Sequence, residues 1–217
     1  MEITLDDAAT RLGVNQRQAQ RLAQTGRLQV VRRVGRSVLV DDESVTSILR
    51  GQHSRGRRWT ANTAWAAIEL LQQGETTRLV GSARSRLKRR LGEVSVEELV
   101  RLASDRALTR RYTQTRRTRA ALATELALSG VSRLGEDELG VDLDLTRAEG
   151  DRVEGYTLAV NELEQRFGLI GDAEGDVLVH ATEVPFVIGS VTTALDLIER
   201  GLTREKAAAT RYLESVL

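Results

Sequence analysis

Residues 3–40 read ITLDDAATRLGVNQRQAQRLAQTGRLQVVRRVGRSVLV, and their spacing sets out two helices, a tight turn and a hairpin. Thr4 is a good N-cap, and Asp6 and Asp7 follow in the first turn, where the positive end of a helix dipole favours acids. Leu5, Ala8, Ala9 and Leu12 recur at helical spacing, and Gly13 ends the run. Asn15 is placed to cap a second helix over residues 16–24. Its inner stripe is Ala19, Leu22 and Ala23, and Gly26 stops it. From Leu28 to Val40, two β-branched runs flank Val34-Gly35-Arg36-Ser37, a hairpin signal with Gly35 free to adopt positive φ. Asp41, Asp42 and Ser44 supply caps for a short third helix through Leu49.

Two helices joined by a three-residue turn, the second of them polar, form the pattern of a helix-turn-helix. Such a unit presents the N-terminal half of its second helix to the major groove. The second helix offers Gln16, Arg17, Gln18, Gln20 and Arg21, preceded by Asn15. Gln pairs bidentately with adenine and Arg with guanine, so these six residues are the candidates for base contact. Arg32, Arg33 and Arg36 cluster at the hairpin, where a basic wing reaches phosphates or an adjacent minor groove. A polar helical hairpin that binds protein is the competing reading, and any exposed hairpin carries some charge to protect its edges.

Residues 3–50 resemble the excisionase/MerR-type winged helix-turn-helix. The resemblance rests on the capped first helix, the Gly-Val turn, the polar second helix and the Arg-Val-Gly-Arg wing. It implies that the second helix enters the major groove and the wing contacts the flank. Many members dimerise through a C-terminal coiled coil, whereas this chain lacks sustained heptads.

The net charge of +1 hides an asymmetry. Residues 1–119 carry 24 Lys/Arg against 12 Asp/Glu, and residues 120–217 carry 8 against 19, so the halves stand at +12 and −11. A basic half beside an acidic half points to nucleic acid at one end, while the acidic half repels phosphate and suits a protein partner or plain solubility. Arginine is abundant and lysine nearly absent (Lys88 and Lys206), a bias that a GC-rich genome produces without selection for phosphate contacts. Aromatics make up 3% of the chain, so its cores must be built from Leu, Val and Ala, which favours helices. There is no cysteine, which excludes disulfides and zinc–thiolate sites and fits a cytoplasmic protein. His53 and His180 stand far apart, so no metal and no cofactor are expected. No signal peptide or membrane span is read.

The expected fold class is α+β, mainly helical. A winged helix-turn-helix spans residues 1–50, a basic linker 51–58, a basic helical region 59–119 and a small acidic α/β domain 120–217. Helices are expected at 61–73, 83–91, 96–103, around 119–126, and at 160–167, 192–200 and 203–216, the last two with Thr as N-cap. Strands are expected near 108–112, 152–158 and 176–182. From Arg78 to Arg119 there are 13 Lys/Arg against 4 Asp/Glu. That stretch is either a face salt-bridged to the acidic half or an extended phosphate-contacting surface, with Arg57, Arg58, Arg84, Lys88 and Arg89 as the candidates.

One segment looks catalytic. Asp142-Leu-Asp144-Leu alternates as a strand that holds two metal ions does in nucleotidyltransferases. The preceding Ser129-Gly130-Val131-Ser132 is not a contiguous Gly-Ser, and no third carboxylate is evident, so an acidic exposed loop is the commoner explanation. No Walker loop, GxGxxG, G-x-S-x-G or H-E-x-x-H occurs.

The stretches RRWTANTAWAAIELL, SARSRLKRRL, ALSGVSRL, VEGYTLAVNELEQRFGL, DVLVHAT and ALDLIERG…AAATRYLESVL resemble actinobacterial helix-turn-helix proteins related to the AbiEi group. That resemblance implies an antitoxin that represses its own operon beside a nucleotidyltransferase-like toxin. It also favours a structural role for the SGVS segment. The acidic insertion GEDELGVDLDLTRAEGD departs from the shorter form expected. The resulting expectation is a non-enzymatic, sequence-specific regulator with a double-stranded DNA operator and a toxin protein as partners. An excisionase-like architectural protein and a nucleotidyltransferase using Asp142 and Asp144 are the alternatives.

Overall fold

The computed structural model describes residues 2–35, 37–52, 57–134 and 152–217. It is mixed α/β, with helix predominating. Helix α1 (Leu5–Leu12) begins where Thr4 Oγ1 accepts the Asp7 N–H at 3.1 Å, and it ends at Gly13 in the left-handed region. Helix α2 (Gln16–Gln24) starts three residues later, with the Asn15 side chain accepting the Gln18 N–H at 2.9 Å. Strands β2 (Val30–Val34) and β3 (Ser37–Asp41) pair antiparallel, with a bulge between Val30 and Arg32. Helix α3 (Asp42–Gln52) follows, its first turn capped by the Asp41 carboxylate. Strand β1 (Glu2–Thr4) completes a three-stranded sheet in the order β1-β3-β2. Three residues are too few to show a period, so nothing in the sequence announced it. Leu5, Ala8, Leu12, Ala19, Leu28, Val40 and Val45 bury together as the core of this unit.

The rest of the described chain is built on a four-stranded sheet in the order β4-β7-β6-β5. These strands are β4 (Leu108–Tyr112), β5 (Ala127–Leu128), β6 (Val153–Thr157) and β7 (Val177–Ala181). Strands β6 and β7 are parallel, joined through helix α8 (Val160–Phe167), and the other pairs are antiparallel. Alternation divides the sheet into two faces. Tyr112, Val153, Val177 and Val179 pack with Leu122 and Leu163, from α7 (Arg116–Ala123) and α8. The other face meets a larger core around Trp65, Ile68, Leu99, Leu195 and Leu213. That core draws on α4 (Ala61–Gln73), α5 (Gly81–Leu91), α6 (Val96–Leu102), α9 (Ser190–Arg200) and α10 (Thr203–Val216).

Charge therefore misplaces one boundary. Strand β4 comes from the basic stretch 59–119 and pairs with β7 from the acidic stretch 120–217, so the two stretches share one sheet and one core. Helix α10 buries Ala208, Ala209 and Leu213 in that core and is not a free coiled-coil strand. Three helix starts and one helix cap differ from expectation. Helix α5 opens at Gly81 after Val80 rather than on a Ser82 cap. Helix α9 opens at Ser190, with Thr192 buried inside its first turn and donating to Val187 O. Helix α10 opens after Leu202, whose N–H goes to the Glu205 carboxylate at 2.6 Å. Helix α7 starts at Arg116, three residues before the expected position. Among the described residues, no helix is long and apolar enough to cross a membrane.

The N-terminal unit lies against the outer edge of β4. Gln29 Nε2 donates to Arg111 O at 3.3 Å, and Arg111 meets Glu43 at 3.4 Å. Gly26 has φ +72°, and a Cβ added there would sit 2.6 Å from Leu108 Cδ2 on β4. Gly13 has φ +65° with open space around it. Gly13→Ala should cost about 1–2 kcal/mol from its backbone alone. Gly26→Ala should cost more, because Leu108 must also move. Urea unfolding of the two variants checks this; equal losses would mean that the contact with Leu108 carries no weight.

Candidate functional site

Helix α2 turns Ala19 into the core and leaves the rest of its polar residues outside. Four of the six candidates for base contact, Arg17, Gln18, Gln20 and Arg21, are exposed and make no side-chain hydrogen bond or ion pair with a described residue. An open groove of about 640 Å³ runs along this face, lined by Arg17, Gln18, Arg21, Leu22 and Arg27 among others. The other two candidates are engaged locally. Asn15 spends its side-chain oxygen on the helix cap, and Gln16 Nε2 donates to Asp6 Oδ1 at 2.9 Å, fastening α2 to α1. Both position the helix; the donors that face outward lie further along it.

In the hairpin, Arg33 is exposed without a described partner, and Arg32 is held to Glu2 on β1, with Nε 3.0 Å and Nη2 2.9 Å from the carboxylate. Arg36 lies outside the described residues, as do His53, Asp142 and Asp144. Of the further phosphate candidates, Arg57 is exposed, while Arg58 bonds Asp105 at 2.9 Å. Asp105 also has Arg27 of the groove at 4.0 Å. Lys88 donates to Gly74 O at 3.3 Å, and Arg84 and Arg89 stand exposed.

Much of the basic stretch is neutralised within the fold. Arg78 pairs with Glu69, Arg101 with Glu98, Arg110 with Glu164 and Arg119 with Asp176. Arg106 is buried, and its partners were not anticipated. Its Nη2 donates to Asp196 Oδ1 at 2.6 Å, its two Nη atoms reach Glu199 at 2.9 and 3.0 Å, and its Nε reaches the Tyr156 hydroxyl at 3.0 Å. Asp196 also accepts from Ser129 Oγ at 2.5 Å and Tyr156 Oη at 2.9 Å. Beside it, His180 is held between Thr109 Oγ1 at 2.9 Å and Glu154 Oε1 at 3.0 Å. Ser132 Oγ accepts the Glu154 N–H at 2.7 Å, so both serines of the SGVS segment are structural.

Glu154, His180 and Asp196 have ligand-type atoms within 4.8 Å of one another, which makes them the cluster to weigh as a metal site. All three are buried. Asp196 already accepts three donors, and one of these is a guanidinium whose charge would oppose a dication. The arrangement therefore suits an internal polar lock that joins sheet, α9 and the turn before β4.

Burial acts to raise Asp196, yet His180, Arg106 and Arg200 outweigh it and hold the carboxyl below its ordinary value. Burial likewise opposes Glu199, and Arg106 and Arg200 bring it down. Burial, offset in part by Arg106, pushes the Tyr156 hydroxyl well up, so it stays protonated and donates.

No family model, curated protein or solved structure matches the chain. What the sites do must therefore be read from their own residues.

Asp196 and Glu199 bind fewer protons folded than unfolded. Their contribution is complete above the ordinary carboxylate range, roughly pH 4, and is lost as pH falls through their depressed folded values. Asp196→Asn should cost about 3 kcal/mol at pH 7, because it leaves the buried Arg106 with Glu199 as its one remaining carboxylate. It should also flatten the fall in stability below pH 4. Urea midpoints across pH 3–7 for both proteins decide the matter, and a variant that keeps the wild-type acid profile would remove Asp196 from this role.

Proposed function

We propose that the chain is a sequence-specific DNA-binding regulator that reads duplex DNA with α2 and flanks it with the β2–β3 hairpin, as a winged helix-turn-helix does. The observation that carries this reading is the outward face of α2. Arg17, Gln18, Gln20 and Arg21 keep their hydrogen-bonding capacity turned to solvent, while Asn15 and Gln16 lock the helix that bears them. Side chains of this type at the start of a second helix are the ones that pair with guanine and adenine edges in the major groove. Arg33 on the hairpin suits a phosphate of the flanking backbone. The resemblance to AbiEi-group proteins extends the reading to an autorepressing antitoxin, whose remaining surface binds a toxin encoded beside it.

A binding site selected from a random duplex pool supplies the probe. Arg17→Ala and Arg21→Ala should each weaken that complex by about 1–3 kcal/mol and relax preference at single positions. Arg33→Ala should weaken selected and random duplexes alike. Unchanged affinity in the Arg17→Ala, Arg21→Ala double variant would sink the assignment of α2. For the antitoxin role, the product of the adjacent reading frame should co-purify with this chain and lose its toxicity on co-expression; independent behaviour of the two rules the role out.

A further inference from the structure

Salt bridging inside the fold accounts for most of the arginines between residues 78 and 119, but it does not account for α5. This helix, GSARSRLKRRL, contains no acidic residue. It buries Leu87 and Leu91 and exposes five cations. Among the described residues, only Arg90 finds carboxylates, those of Glu93 and Glu98. Arg84, Arg86 and Arg89 meet no carboxylate among the described residues, and Lys88 meets only the Gly74 carbonyl. Arg84 and Lys88 are four residues apart, Arg86 and Arg89 three apart, so like charges face each other along the helix at a cost. The Lys and Arg of the last turn gain something from the helix dipole, which does nothing for Arg84 and Arg86 in the first half. Unneutralised cations concentrated on one rigid helix have a natural complement in a regularly charged polyanion. At about 1.5 Å rise per residue, the helix is about 16 Å long, comparable to five base-pair steps of duplex.

The position of α5 connects it to the α2 groove. Asp105 lies between Arg27 of that groove and Arg58. Arg58 runs directly into the start of α4, where Asn62 Nδ2 reaches Arg78 O at 3.5 Å, three residues before α5.

We propose that the basic face of α5 is a second DNA-contacting surface, which grips the phosphate backbone of the duplex outside the segment read by α2. This rests on the reading of α2 as a DNA-binding helix, and the experiment separates the two. Affinity of the full chain for a 30-base-pair random duplex is measured across a salt series. The proteins compared are wild type, Arg84→Ala/Arg86→Ala/Arg89→Ala, the corresponding triple Lys variant, and Arg17→Ala/Arg21→Ala. Each phosphate contact contributes about 0.9 to the log–log salt slope. The triple Ala variant should therefore lose about 2–3 from the slope and bind roughly tenfold or more weakly at 0.1 M salt. The triple Lys variant, which keeps the charges, should retain the wild-type slope. If the triple Ala variant keeps slope and affinity while the α2 variant loses binding, the α5 proposal is overturned and the α2 reading stands. If only the triple Ala variant changes, α5 is upheld, and the α2 reading is decided on the selected site, where base contacts are made. A wild-type chain that binds no duplex overturns both. A triple Ala variant that keeps duplex affinity but loses retention on phosphatidylserine vesicles overturns the proposal in favour of a lipid surface.

Discussion

A carboxylate removed from water has to find its donors inside the protein, and Asp196 finds three: the Arg106 guanidinium, the Tyr156 hydroxyl and the Ser129 hydroxyl. These arrive from the turn before β4, from β6 and from the segment after β5. Glu199 and Arg200, on the same face of α9, close the set by binding Arg106 and Thr109. The elements that supply these groups are thus committed to one arrangement, because withdrawing Arg106 or Asp196 leaves charge in an apolar interior short of its partner. Trp65 adds to this: its indole N–H donates to Arg106 O at 3.0 Å and its ring packs edge-on against Tyr156. The aromatic core and the ionic one are therefore held by the same two residues.

This lock frees the surface to be specialised. With Arg106, Arg110 and Arg119 satisfied by carboxylates of the second half, the large opposite charges of the two halves are partly spent on each other. What is left over among the described residues of the first half is the outward face of α2, Arg33 on the hairpin, Arg57, Arg117 and the ridge of α5. Net charge by halves would have spread a nucleic-acid role over the whole first half. Individual pairings leave far fewer of those charges free.

The features legible in the sequence are those whose causes are local. Thr4, Gly13 and Asn15 fix α1, the turn and α2 within a span of a few residues, and the alternation around Gly35 fixes the hairpin. The same is true of β4, α8 and β7, whose ends agree with their residue patterns. The polar lock was not legible, because the bonds that join its elements span 26 to 93 residues and each member looks ordinary alone. His180 invited a reading as an isolated histidine, and Asp196 looked like one more polar position on an amphipathic helix. A weak signal did exist: Thr192, Thr193, Asp196, Glu199 and Arg200 share one face of α9 at i, i+3 and i+4 spacing, beside the apolar stripe of Val191, Leu195 and Ile198. Asn15 and Gln16 went the other way. Their polarity suggested base contact, whereas short-range partners claim both.

The pairing of β4 with β7 joins residues more than sixty positions apart, and the β6–α8–β7 crossover lies between. The core of the N-terminal unit, by contrast, closes within the first fifty residues. As the chain leaves the ribosome, the unit that bears α2 can complete its core while β4 still waits for its partner strand. Through that interval β4 has two unpaired edges. On the edge that β7 will not cover, Gln29 Nε2 of the folded unit reaches Arg111 O, so part of that edge is met before the Gly171–Asp172 turn arrives to bond Arg111 O and bridge Tyr112.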